Sequence, residues 1–386
     1  MWLLVLVTLS GTLAVHMFVP ALPAAAADLA TDQSTMRLTI SLYVLGLAFG
    51  QLGYGPLADR FGRRPVLIAG LAIYSLASVA AALAPNAGFL ILARLAQALG
   101  GCSGIVLGRA IVRDLAGPDD AARRLATLNM LIMIGPGLAP VIGTVISEAL
   151  GWRMIFALLA AAALVAAALC WRSMPETHET LGRMDTRALL RNYLALARSP
   201  VFLGFAICGG CVTTSMFAFI SSVPFIAAEL GRPVHESGLY LGMVVGGVSF
   251  GAVVTRRIVA HHDLRRILAL SSLACLAVAA AFLAVVAAGR LTVPVMLALM
   301  FAFSIGAGIS SPVALTVAVS INPQLIGSAS GLYGFVQMGV GAICTWLAGF
   351  GTHAGLATAL VLFGAAVMSQ ICYWIARRAE RARPAA

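Results

Sequence analysis

Long, predominantly apolar runs recur twelve times along this chain, near residues 2–24, 36–57, 66–84, 88–112, 122–148, 153–173, 200–228, 236–258, 266–288, 292–319, 326–350 and 355–377. About 20 apolar residues at 1.5 Å rise match the thickness of a bilayer's hydrocarbon core. In that solvent each segment must satisfy its own backbone N–H and C=O groups, so the runs read as membrane-spanning helices. A strand barrel would instead show ten-residue alternations of apolar and polar residues. Composition agrees: 61% of the 386 residues are hydrophobic and 10% charged, with mean hydropathy +0.99, against about a quarter charged in soluble domains.

The formal charge of +11 raises the question of a nucleic-acid partner, and the placement of the charges argues against one. The chain has no Lys; its 25 basic residues are all Arg. Twenty of them fall in every second loop and at the C-terminus, four in the alternate loops, and Arg94 inside a span. They punctuate apolar runs and form no continuous basic surface. By the positive-inside rule the arginine-rich face is cytoplasmic, and both termini lie on it. Met1–Ala27 ends in small residues as a signal peptide does, but lacks the positively charged start of one and reads as a retained span. The seven Cys residues fall within spans and read as small packing residues, Cys208-x-x-Cys211 included.

The longest polar stretch, Pro175 to Ser199, divides the chain into residues 1–174, a cytoplasmic linker 175–199, and residues 200–386 with a short basic tail. An internal repeat supports that division. Shifted by 196 residues, Ser41, Gly46, Gly50, Tyr54, Gly55 and Arg60 fall on Ser237, Gly242, Gly246, Phe250, Gly251 and Arg256. Duplication of a six-span unit predicts such a register. The pairs Gly46 with Gly50, Gly242 with Gly246, and Gly247 with Gly251 are spaced for close helix approach.

Two features carry most of the chemistry. Gly55-Pro56-Leu57-Ala58-Asp59-Arg60-Phe61-Gly62-Arg63-Arg64 is a charged loop between two apolar runs. Its glycines permit a tight turn, and Asp59 is placed to pair with an arginine such as Arg113 or to face a helix N-terminus. Such contacts suit a latch that forms in one conformation and breaks in another. The second-half counterpart has Thr255 where Asp59 would stand, and His261-His262-Asp263 there reads as surface loop, with no metal site. The other feature is Arg94, at a cost of about 2.5–3.5 kcal/mol for an arginine at the bilayer centre. It is expected to face a polar cavity, with Gln97 three residues on sharing its helix face; the alternative is an arginine snorkelling to the interface.

These segments carry a resemblance that spans essentially the whole chain. The charged loop resembles the signature loop of the major facilitator superfamily, and Arg94 to Gly100 resembles its fourth-helix motif. Gly135-Pro136-Gly137-Leu138-Ala139-Pro140-Val141-Ile142-Gly143 resembles the helix-five motif of its exporters, through Gly135, Pro136, Pro140 and Gly143. Gly151-Trp152-Arg153-x-x-Phe156 and Pro175-Glu176-Thr177 match the family's boundaries around helix six. Pro20-Ala21-Leu22-Pro23 and the Gly108 to Asp114 segment look most like the bicyclomycin-resistance, or Bcr/CflA, drug-efflux branch. The resemblance implies an all-α integral membrane protein with twelve transmembrane helices in two pseudo-symmetric six-helix bundles, the major facilitator fold. It also implies a multi-pass protein of a bacterial inner membrane that exports amphipathic small molecules in exchange for protons by alternating access, as a monomer without cofactor or metal. The gate is expected at Gly55, Asp59, Arg60, Gly62, Arg63, Arg64 and Arg113.

One departure bears on mechanism. Relatives in that branch carry an acid just before M-x-x-P in helix one, where this chain has His16-Met17-Phe18-Val19-Pro20. None of the 14 acidic residues falls in the middle of an expected span. Histidine titrates near neutral pH and is the candidate proton carrier, with a packing role as the alternative. Arg94, Gln97, His16, Met17, Phe18, Tyr43, Asn129, Met133, Phe217, Tyr333 and Gln337, with Met130, Phe219 and Met338, form the candidate substrate cavity, Met and aromatic groups being adaptable to varied apolar ligands. Missing the acid, the chain also admits import or facilitated movement of a metabolite, and more remotely a non-transporting receptor. An intramembrane enzyme would need a nucleophile with a base or a metal cluster, and no such set appears at usable spacing.

Overall fold

The computed structural model describes residues 2–115, 118–177, 186–233, 235–351 and 353–382. They form helices α1 (Trp2–Phe18), α2 (Leu22–Asp28), α3 (Gln33–Phe61), α4 (Arg63–Ala82), α5 (Ala87–Leu115), α6 (Pro118–Leu150), α7 (Trp152–Ser173), α8 (Thr186–Ala197), α9 (Pro200–Thr213), α10 (Met216–Glu229), α11 (Glu236–Ile258), α12 (Leu264–Ala287), α13 (Val293–Val319), α14 (Ile326–Leu347) and α15 (Ala354–Arg381). Among the described residues ten segments are long and apolar enough to cross a membrane, with α1 and α2 counting as one and α9 and α10 as another. The 22-residue α14 and α6, with its apolar stretch Gly137–Leu150, account for the other two expected runs.

Two spans are broken where the sequence suggests continuous helices. Between α1 and α2 a 3₁₀ turn, Val19–Ala21, is centred on Pro20, which has no N–H to give to the preceding turn. Between α9 and α10 the break falls at Thr214 and Ser215. There Thr213 and Thr214 donate their hydroxyls back to the Gly209 and Gly210 carbonyls, at 2.7 and 2.8 Å. Such bonds compete with the backbone ladder. The linker departs from expectation as well: it contains the twelve-residue helix α8.

Contacts divide the chain into two units, one of residues 1–184 with 237–242, the other of residues 185–236 with 243–386. In the first, α5 is the common support, with α1, α3 and α4 all packed on it. The approach is backbone to backbone: a Cβ on Gly104 would lie 2.0 Å from the Val7 carbonyl oxygen of α1. In the second unit α9 packs on α13, α14 and α15, and α12 on α13 and α15. All seven Cys residues are buried free thiols.

The packing corrects the register of the repeat. Gly46 and Gly50 lie against α5 at Ala98 and Cys102, while the residues that lie equivalently against α13, at Ser304 and Gly308, are Gly247 and Gly251. A Cβ on Gly246 would meet nothing within 4 Å. Gly46 and Gly247, Gly50 and Gly251, and the helix starts Arg63 and Leu264 are each 201 residues apart. The 196-residue shift is five residues short, which turns a helix by about 140° and presents the wrong face.

The same 201-residue spacing relates Asp28 and Glu229, the acids that end the first and seventh spans. Asp28 accepts from the Trp152 indole at 3.2 Å and pairs with Arg153, at the start of α7. Glu229 accepts the backbone N–H groups of Ala354 and Gly355 at 2.6 and 3.2 Å, at the start of α15. A carboxylate at a helix N-terminus satisfies donors the helix leaves open. Asp32, which caps α3 through the Thr35 N–H at 3.1 Å, is held below the usual carboxylate range first by the Ser34 hydroxyl and then by Thr35.

Candidate functional site

In the first unit, the Arg94 side chain on α5 lies among rings from α1, α3 and α7. Arg94 and Gln97 are both fully buried, which sets aside snorkelling and differs from the expectation of an arginine lining a cavity. Their three-residue spacing on α5 lets Arg94 Nη1 donate to Gln97 Oε1 at 2.6 Å. Gln97 Nε2 then donates to Ser78 Oγ on α4 at 2.7 Å, and Ser78 donates to the Tyr74 carbonyl at 2.7 Å. The guanidinium carbon lies 4.0 Å from the Tyr43 ring centroid, 5.4 Å from Phe18 and 5.5 Å from Phe156. A desolvated cation over an aromatic face gains about 2 kcal/mol. The rings are themselves held: Phe18 packs on Phe156 at 4.8 Å, and Tyr43 donates to the Gly11 carbonyl at 2.7 Å. Arg94 Nε and Nη2 have no hydrogen-bond partner.

His16 is buried on α1, with Nδ1 2.9 Å from the Thr12 carbonyl oxygen. A carbonyl only accepts, so Nδ1 carries the hydrogen and Nε2 is the basic nitrogen. Met17 is buried next to it, its carbonyl oxygen 2.0 Å from where a Gly143 Cβ would stand on α6. That contact explains Gly143 in the helix-five motif, as contact with Leu9 explains Gly135. Pro140 is buried, its carbonyl accepting from Thr144 at 3.0 Å. The side chains of Asn129, Met130, Met133 and Pro136 lie outside the described residues.

In the second unit the break between α9 and α10 gathers a polar cluster. Gln337 on α14 donates to Thr213 Oγ1 at 2.8 Å, and its backbone carbonyl accepts from Thr214 at 2.6 Å. Thr213, Phe217 and Gln337 are half-buried, whereas Phe219, Tyr333 and Ser215 are buried. The Tyr333 and Ser215 hydroxyls have no partner. Tyr333, Gln337 and Phe217 were legible as polar or aromatic positions. Thr213, Thr214 and Ser215 were missed; a run of three hydroxyl residues after two glycines was the available signal.

The charged loop is organised differently from the sequence expectation. Gly55 and Asp59 lie within α3, and the turn is made by Gly62 alone, at φ 92°. Asp59 is exposed, 3.8 Å from Arg63, and does not cap a helix. The acids that hold the loop are Asp114, which pairs with the buried Arg63, and Glu176. The Glu176 carboxylate accepts the N–H groups of Arg63 and Arg64 at 2.9 and 3.1 Å, at the start of α4. Arg64 donates to the Trp171 carbonyl and lies 5.7 Å from its ring, Arg60 rests on Phe61 at 4.9 Å, and Arg113 is exposed. In the second unit Arg265, at the start of α12, holds Glu380 at 2.9 Å, near the end of α15. Replacing Glu176 with alanine is expected to cost about 1 kcal/mol, the value of a helix N-cap. Faster hydrogen exchange at the Arg63 and Arg64 amides, with the rest of α4 unchanged, would register it; unchanged exchange there would refute the cap.

The chain matches the family model for the Major Facilitator Superfamily over residues 4–345. It is 29% identical to the bicyclomycin resistance protein homologue of Haemophilus influenzae, covering 85% of this chain and 83% of that protein. It is likewise 29% identical to multidrug resistance protein D of Escherichia coli, covering 87% and 84%. Among solved structures, a bacterial homologue of the human lysosomal transporter Spinster superposes with TM-score 0.73 at 15% identity, covering 100% of this chain and 98% of that one, a likeness of fold. With its helical spans and duplicated packing, this chain belongs to the major facilitator superfamily of membrane transporters.

Proposed function

We propose that this transporter exports amphipathic small molecules across a bacterial cytoplasmic membrane in exchange for protons, with both termini cytoplasmic and a single chain as the working unit. The relatives named for bicyclomycin and multidrug resistance support the class of cargo. The observation that carries the coupling is His16: among the described residues it is the one histidine buried within a span, and acids stand only at span ends and in loops. Proton uptake at Nε2 would place a second positive charge in a unit that already buries Arg94, which favours a conformation where one of the two is hydrated. The half-open Thr213, Phe217 and Gln337 face is the better candidate for first contact with cargo, because the Arg94 cluster is sealed by its rings.

Alternating access supplies the gate a role: Arg63–Asp114 and Glu176 at the start of α4, and Arg265–Glu380 in the other unit, are contacts that an outward-to-inward change would break or spare. In everted vesicles with an imposed pH gradient, gradient-driven uptake of a panel of antibiotics is expected, and His16→Ala should slow it by about tenfold or more, about 1.4 kcal/mol in the barrier. Uptake that ignores the gradient would overturn the proton role, and accumulation only in right-side-out cells would favour the import reading that the missing carboxylate admits.

A further inference from the structure

The linker helix α8 has two faces. Leu196 is buried, and Leu189, Asn192 and Tyr193 are half-buried, on a helix that packs against α9 and α14. On the other side Arg187, Leu190, Arg191, Leu194 and Arg198 recur at three- and four-residue steps, which aligns them in one stripe. Leu190 is 59% and Leu194 47% exposed. With Ala195, these residues line a shallow concavity of about 320 Å³. The helix contains no acid.

Chain continuity places this stripe at a membrane boundary. Arg198 is followed by Ser199, which caps α9 through the Phe202 N–H at 3.3 Å, and by Pro200, where the membrane-crossing segment begins. A helix that ends so close to the start of a bilayer span cannot hold its C-terminal end far from the headgroups. Arginines with leucines between them, on the solvent face of a short helix at that depth, are the pattern of an interfacial helix: apolar side chains enter the acyl boundary while cations meet phosphates.

We propose that α8 is a docking site for the anionic phospholipids of the adjoining leaflet, with Leu190 and Leu194 inserted between lipids and Arg191 and Arg198 on their phosphates. Arginine suits this role because its planar donors bind phosphate oxygens in pairs. The contact fastens the linker to the membrane and makes the second unit sensitive to the charge of the leaflet. It is independent of cargo and of coupling.

The test uses the full chain in nanodiscs, with a fluorescent label on the thiol that an Ala195→Cys substitution introduces; the seven native thiols are buried and resist labelling. Quenching by acrylamide is compared in phosphatidylcholine and in phosphatidylcholine with about a third phosphatidylglycerol. Protection is expected only in the anionic discs and is expected to fade with added salt. Titrating the phosphatidylglycerol fraction in R191Q and R191Q/R198Q should shift half-protection by about fivefold per arginine, with melting unchanged. Equal quenching in both lipids, or protection that persists in R191Q/R198Q, would overturn the proposal. Protection in both lipids alike would point instead to a protein contact over α8, which also overturns it.

Discussion

Gly104→Ala is expected to lower the melting temperature sharply, with Gly143→Ala, whose Cβ would stand 2.0 Å from the Met17 carbonyl oxygen, as the comparable single-methyl addition in the first unit. The Cβ added at Gly104 would stand 2.0 Å from the Val7 carbonyl oxygen and 2.8 Å from its carbon. Both atoms are backbone of α1, so no rotamer change relieves the clash. Either α1 or α5 has to move, and α5 also supports α3 and α4. Overpacking commonly costs about 1–3 kcal/mol, and rigid backbone on both sides places this case at or above the upper end. Gly364→Ala on α15 provides the control, because its Cβ would meet nothing within 4 Å. There the gain in helix propensity, about 0.8–1.0 kcal/mol in water and less in lipid, is the only effect expected. Melting in detergent, followed by fluorescence-detected size exclusion, distinguishes the two; a Gly104→Ala protein that melts with the wild type would mean that α1 and α5 are not packed this closely.

Arg94→Met is expected to separate function from folding. Arginine contributes one hydrogen bond and three aromatic contacts at this position, and costs the burial of a charge with Nε and Nη2 unpartnered. Replacing a buried charge by an apolar side chain of similar length is often neutral or stabilising. Methionine fills the same space between Tyr43, Phe18 and Phe156 with a polarizable chain, though Gln97 loses the donor to its Oε1. These terms nearly cancel, so the stability change should stay within about 2 kcal/mol. Transport should fall by at least about tenfold, because the proposed coupling sets the buried Arg94 charge against proton uptake at His16. Arg94→Ala, by contrast, should lose both, through a cavity costing about 3–5 kcal/mol. Wild-type transport by Arg94→Met would remove Arg94 from the mechanism and leave it a packing residue; a strongly destabilised Arg94→Met would show the cation itself to be structural.

The two substitutions probe different kinds of information. Gly104 is one of 39 glycines, and only the carbonyl of Val7, nearly a hundred residues earlier, singles it out. Arg94 was conspicuous at once, since a lone arginine in an apolar run has few explanations, and its bond to Gln97 followed from helix geometry. Its three rings come from α1, α3 and α7, and no spacing along the chain reports them. They turn a candidate cavity residue into an enclosed one.

The charged loop shows the same boundary. That the charged segment at residues 55–64 makes contacts at helix ends was an expectation from the density of its charges between apolar runs. Which acid does so was not: Asp59 lies in the last turns of α3 and is exposed, while Asp114 comes from the end of α5 and Glu176 from the segment after α7. The repeat is subtler, because two registers five residues apart both align glycines, and only the face presented to the neighbouring helix chooses between them.

Local chemistry along the chain therefore determined the solvent, the number of spans, the duplicated plan and the family. Each of these depends on hydropathy and on motifs confined to a few consecutive residues. Tertiary structure decided which acid meets which helix start, where two spans break, which glycines touch backbone, and that Arg94 is sealed by aromatic rings. Those outcomes depend on pairs of residues far apart in sequence, and a periodicity that says which face of a helix is apolar does not say what stands opposite it.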